Sequence, residues 1–287
     1  MIGIKNAMNL RQLRISRRTI AVAVALSGTV SLAIGAHAAL NKRSLDAAKA
    51  MTTQQVTGAI NTGASRVALI IGNGHYPDAA APLAQPINDA RTLSAALRHD
   101  GFDVDVVEDA TRDDMVRAVE RMKAKIRPDT VVMLFFGGYG VQVGRESYMI
   151  PVDATIWKEA DVKRTGVSVE SVLDVMKEQG AKAKLVVLDA SRRNPYERRF
   201  RSYSHGLAPI SPPENTLVLT SATAGKVADD STSANSVLVS ELLNNINAQA
   251  GAESAFNKTR VAVARASEGE QVPQVSSSLL EDIKLGG

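Results

Sequence analysis

Apolar residues in this chain gather in short unbroken runs. Arg66-Val-Ala-Leu-Ile-Ile-Gly72, Thr130-Val-Val-Met-Leu-Phe-Phe136, Leu185-Val-Val-Leu-Asp189 and Asn215-Thr-Leu-Val-Leu-Thr220 each hold a continuous apolar stretch, with polar residues at their ends only, rather than alternating. Runs of that length suit parallel strands covered on both faces. Phe102 to Val107 reads as a further strand, and Val141 to Asp153 as a hairpin turning at Gly144. Between the runs lie helical stretches. One runs to about His99, capped by Asn88 or Asp89. A second opens at Thr111-Arg-Asp-Asp114 and carries Arg121, Lys123 and Lys125 late, as the helix dipole favours. Others are predicted over Val167–Lys177, Ser236–Gln249 and Glu253–Glu268. Strands alternating with helices predict an α/β fold, doubly wound and mostly parallel, with helices on both faces.

In such sheets ligands sit beyond the carboxyl ends of the strands. That places Asp189 and Ser191 at the chemistry-bearing rim. Gly137-Gly-Tyr139-Gly140 turns sharply after its own strand and brings Tyr139 to the same rim. The two loops face each other if their strands are neighbours.

These residues resemble the caspase and metacaspase family of cysteine proteases in its bacterial form. That family carries Ser-Gly-His-Gly after one strand and Asp-Ala-Cys-Arg after the next, with the His and Cys as catalytic dyad. This chain has Gly-Gly-Tyr139-Gly and Asp189-Ala-Ser191-Arg. The similarity extends over residues 66–285, through Gly72-Asn73 and Asn88-Asp89-Ala90 to Gln271-Val-Pro-Gln274. It implies a six-stranded caspase-like sheet with an antiparallel edge strand. It also implies that Asp89 and Asp189 form an acidic pocket for an Arg or Lys side chain, which two carboxylates suit. A helix cap is the competing reading of Asp89.

Both dyad positions are changed in kind. A serine hydroxyl is a far weaker acid than a thiol and needs a strong base beside it. A tyrosine, with an ordinary pKa of about 10, donates hydrogen bonds at neutral pH and accepts no proton. The pattern therefore predicts a pseudo-protease that binds basic peptide or protein segments, an active relative among the candidate partners. One alternative is a residual hydrolase in which His75 or His205 serves Ser191 as base. The other is an interaction protein with a vestigial pocket. The run Arg192 to Arg201, half of it arginine, reads as a solvated loop or, by the resemblance, a processing loop. An arginine from it docked on Asp89 and Asp189 would hold the loop shut.

Composition adds boundaries. The 287 residues fit one domain or two, and 45% apolar content with 4% aromatics predicts an aliphatic core, in which the single Trp157 is assigned to packing. There is no cysteine, hence no thiol nucleophile, thiolate metal site or disulfide. No spacing resembles a zinc site or a phosphate-binding loop, and no cofactor is implied. Five of the 34 lysines and arginines (Lys5, Arg11, Arg14, Arg17, Arg18) lie in the first 38 residues, which hold no acid; the other 29 face 30 acids. The basic balance thus belongs to the amino terminus and gives no support for nucleic-acid binding. Residues 1–38 read as a signal peptide: a basic stretch, an apolar stretch from Thr19 to Gly35, then Ala36-His-Ala38. An uncleaved membrane anchor is the alternative. Residues 39–65 read as a linker and 66–287 as the domain. Its expected place is the periplasm, or the inner membrane with the domain outside the cytoplasm.

Overall fold

A computed structural model describes residues 65–77, 82–192, 196, 206–228, 233–246 and 251–285. The expected signal and nearly all of the expected linker lie outside the described residues, as does most of the arginine-rich run. Among the described residues no helix is long and apolar enough to cross a membrane.

Six strands form the central sheet: β1 (Arg66–Gly72), β2 (Asp103–Glu108), β3 (Val131–Gly137), β7 (Ala183–Asp189), β8 (Thr216–Thr220) and β9 (Gln274–Ser277). Their order is β2-β1-β3-β7-β8-β9. The first five are parallel and β9 closes the edge antiparallel to β8. A small antiparallel sheet joins β4 (Gly140–Val143), β5 (Glu146–Met149) and the two-residue β6 (Val167–Ser168). The helices are α1 (Pro86–His99), α2 (Arg112–Lys125), α3 (Glu159–Thr165), α4 (Val169–Glu178), α5 (Val237–Asn245) and α6 (Ala252–Ala266).

The apolar runs are buried on both faces because each strand sends alternate side chains into two separate cores. Leu69, Ile71, Leu134, Phe136, Val186 and Leu188 meet Met115 and Met122 of α2 and Leu173 and Met176 of α4. Ile70, Met133, Phe135, Leu185, Val187 and Leu219 meet Leu93 and Leu97 of α1, Leu242 of α5 and Phe256 of α6. Edge strand β2 is half-exposed and charged; Asp103, Asp105 and Glu108 pair with Lys125, Arg121 and Arg91. Charges along an edge discourage pairing with a second chain.

Some local expectations are corrected. Helix α1 starts at Pro86, a residue preorganised for the first helical position, so Asn88 and Asp89 stand inside the first turn and cap nothing. Val167 and Ser168 pair with β5 before α4 begins. Trp157 is 66% exposed rather than packed. Thr111 does cap its helix, in a reciprocal box with Asp114. Thr111→Ala is expected to lower stability by about 1 kcal/mol in chemical denaturation, with no change in the site.

Candidate functional site

Parallel register sets the strand ends level. Gly72 of β1 stands beside Gly137 of β3, and Gly137 beside Asp189 of β7. The loops after β3 and β7 are joined by backbone bonds: Gly138 N–H donates to Asp189 O at 3.2 Å and Gly140 N–H to Ala190 O at 2.9 Å. A side chain at Gly138 would meet the Tyr76 hydroxyl at 2.5 Å, and one at Gly140 would meet Leu207 at 2.5 Å and the Ala190 carbonyl at 2.8 Å. Glycine is therefore required at both positions flanking Tyr139.

Tyr139 is half-buried. Its N–H donates to the Tyr76 hydroxyl at 3.1 Å and its carbonyl accepts from Ile150 N–H at 3.0 Å. The two tyrosine rings meet edge-on, centroids 4.7 Å apart. Tyr76 in turn donates to Ile150 O at 3.0 Å, and burial pushes its hydroxyl pKa further up, so it stays neutral. Beneath them Asn73, fully buried, donates to Ile150 O at 3.1 Å and to Ala110 O at 3.4 Å, and accepts from Ala110 N–H at 2.8 Å. One amide side chain thereby ties together the chain after β1, β2 and β5.

Ser191 is 1% exposed. Its N–H donates to Ser221 Oγ at 3.3 Å and its carbonyl accepts from Ala228 N–H at 2.6 Å. Its own Oγ has no hydrogen-bond partner among the described residues. Gly206, at a φ of 70°, lies against it: a Cβ there would sit 3.5 Å from Ser191 Oγ. His75 does not serve Ser191. Its Nδ1 pairs with Asp109 Oδ2 at 2.6 Å, beyond the end of β2, and β2 lies on the far side of β1 from β7. His205 lies outside the described residues.

Asp89 and Asp189 are both buried. Asp89 Oδ1 accepts from Asn235 Nδ2 at 2.8 Å and from Ser236 N–H at 3.0 Å, at the amino-terminal end of α5. Gln85 and Asn88 donate to the carbonyls of Ser233 and Ala234, so the start of α1 is tied to the segment leading into α5. Burial, and then the nearby Asp189 charge, push the Asp89 carboxyl up to about 7, against the bonds from Asn235 and Ser236. The second oxygen of each aspartate, Oδ2, has no hydrogen-bond partner among the described residues. Arg192 is 5% exposed. Its Nη1 donates to Asp189 O at 2.5 Å and Gly138 O at 3.3 Å and lies 3.6 Å from Asp189 Oδ1.

Sequence reasoning gave no role to Asn73, Tyr76, Ser221 or Asn235, although Gly72-Asn73 is among the residues that carry the resemblance; Asn235-Ser236 ahead of an apolar helix is a capping signal.

The chain thus has a doubly wound sheet with an antiparallel edge strand, with Ser191 and Asp189 at the carboxyl end of β7 and Asp89 on α1. The caspase-domain family model matches residues 65–284, and the chain belongs to that family. It is 29% identical over 133 residues to the human mucosa-associated lymphoid tissue lymphoma translocation protein 1 and 30% identical to its mouse homolog. Those matches cover 46% of this chain and 16% of each relative. Among solved structures, caspase-1 of Spodoptera frugiperda superposes with a TM-score of 0.57 at 15% identity, over 79% of this chain and 92% of that one. The Geobacter sulfurreducens protein GSU0716 does so with a TM-score of 0.54 at 16% identity, over 74% and 92%.

Proposed function

We propose that this caspase-like domain recognises Arg- or Lys-containing peptide segments through Asp89 and Asp189 and does not cleave them. The observation that carries the loss of cleavage is Ser191 Oγ, buried and in contact with no base among the described residues. Peptide cleavage by a hydroxyl needs a base within hydrogen-bond reach and donors aimed at the developing oxyanion. Tyr139, a hydrogen-bond donor at neutral pH, supplies no base. Recognition is supported by the two buried carboxylates, each with an oxygen left over for a cationic fork.

The test is an assay of the purified chain on fluorogenic peptides ending in Arg or Lys, with binding of the corresponding uncleavable amides followed by calorimetry. The wild type is expected to release no more fluorophore than Ser191→Ala and to bind the amides, with binding lost in Asp189→Asn. Tyr139→His/Ser191→Cys restores both family dyad groups and is expected to cut where the wild type is silent. Hydrolysis by the wild type that disappears in Ser191→Ala would show that another base exists. The pattern of residues 1–38 supports export of this domain to the periplasm, and fractionation of a tagged chain tests that.

A further inference from the structure

Arg192 opens an arginine-rich run, where a solvated side chain is the default, yet it points inward and is almost wholly buried. A guanidinium stays charged at any ordinary pH and is buried only against acceptors. Those it has found on this site are Gly138 O, Asp189 O and the Asp189 carboxylate. The first belongs to the loop after β3 and the others to the end of β7, so one side chain spans both loops that carry the family's dyad positions. The contact with the Asp189 carboxylate is long, 3.6 Å to Oδ1. Among the described residues, Asp189 Oδ2 and Asp89 Oδ2 have no hydrogen-bond partners. A ligand guanidinium set squarely between the two carboxylates would make shorter, paired bonds to them.

We infer that Arg192 is the built-in occupant of the acidic site: it locks the loops after β3 and β7 together, and a basic peptide gains full access to Asp189 only when Arg192 leaves. The inference rests on the binding reading above and adds an intramolecular competitor to it. Release of Arg192 also removes one donor each from Gly138 O and Asp189 O, so ligand entry and loosening of the Tyr139 and Ser191 loops are one event.

The experiment uses the full chain, an acetylated tetrapeptide amide ending in Arg as probe, and two readouts. By calorimetry Arg192→Gln is expected to bind the probe about tenfold or more tighter than wild type, a gain of about 1.4 kcal/mol. Adding Asp189→Asn is expected to cancel the gain. By hydrogen exchange, the amides of residues 138–140 and 189–191 are expected to exchange faster in Arg192→Gln, while those of β1 do not change. Arg192→Lys keeps the charge without the fork and serves if the glutamine variant folds poorly; an intermediate gain is expected. Equal affinity of wild type and variant overturns the competitor. If neither protein binds, the binding reading fails, and exchange decides the lock separately: faster exchange upholds it and unchanged exchange overturns it.

Discussion

Asp89→Asn is expected to stabilise the protein at pH 8 by about 1–3 kcal/mol and to leave it unchanged at pH 4. The Asp89 carboxyl titrates near 7 in the folded state, against an ordinary 3.8. Between those values the folded chain holds a proton that the unfolded chain has lost. Stability therefore falls as pH rises from about 4 to about 7, and above that the loss is complete. Three pH units correspond to an upper limit of about 4 kcal/mol, reduced in practice by relaxation around the charge. Asparagine keeps Oδ1 to accept from Asn235 and Ser236, and places an N–H₂ in place of Oδ2, which has no partner among the described residues. The same change should weaken an arginine probe, because it removes a negative charge. Urea titrations at the two pH values decide the matter; lower stability of the variant at pH 8 refutes this account of Asp89. On the binding side, wild-type affinity for the probe should rise as pH increases through about 7, as Asp89 ionises.

Asn73→Ala is expected to cost about 3 kcal/mol or more. The loss has two parts. Ala110 N–H, buried, is left without its acceptor, and an unsatisfied buried amide costs on the order of 1–3 kcal/mol. The missing amide group leaves a void where three connections meet. Asn73→Asp should recover little: it restores the acceptor but loses the donors to Ile150 and Ala110 and buries a charge. Ile150 bonds both Tyr76 and the Tyr139 backbone, so the loss should also disorder the Tyr139 loop ahead of global unfolding. Equilibrium unfolding with tyrosine exposure as a second probe measures both; a loss below about 1 kcal/mol would show that the clip is dispensable.

What the sequence disclosed follows from how local each cause is. Parallel strands buried on two faces need uninterrupted apolar side chains, so β1, β3, β7 and β8 are visible as runs. Glycines that a close approach demands, at 138 and 140, mark the turn around Tyr139. Thr111 and Asp114 announce their cap because both partners sit within one turn. Asp89 misleads for the opposite reason: its partners Asn235 and Ser236 lie 146 and 147 positions away, and a local rule finds only a capping acid. Arg192 sits in a run that looks solvated, and its inward course is set by carbonyls of two different loops. Trp157 is large and apolar, which argues for burial, yet it is its neighbour Ile156 that enters the cluster with Tyr148 and Val162, and Trp157 stays exposed. The placing of Ser191 beyond β7 was legible; its burial beneath Gly206 was not, because that contact comes from a separate segment.

The level strand ends have a kinetic consequence. Gly72, Gly137 and Asp189 meet only after each parallel pairing has closed a crossover, and such non-local closures are entropically slow. Asp89 receives its anchors from the segment before α5, synthesised long after α1. A nascent chain ending before Asn235 can have β1, β3 and β7 in hand and still lack a finished acidic site. Under the proposed binding role, competence to bind should therefore appear with the slowest refolding phase, after the segment before α5 has docked on Asp89.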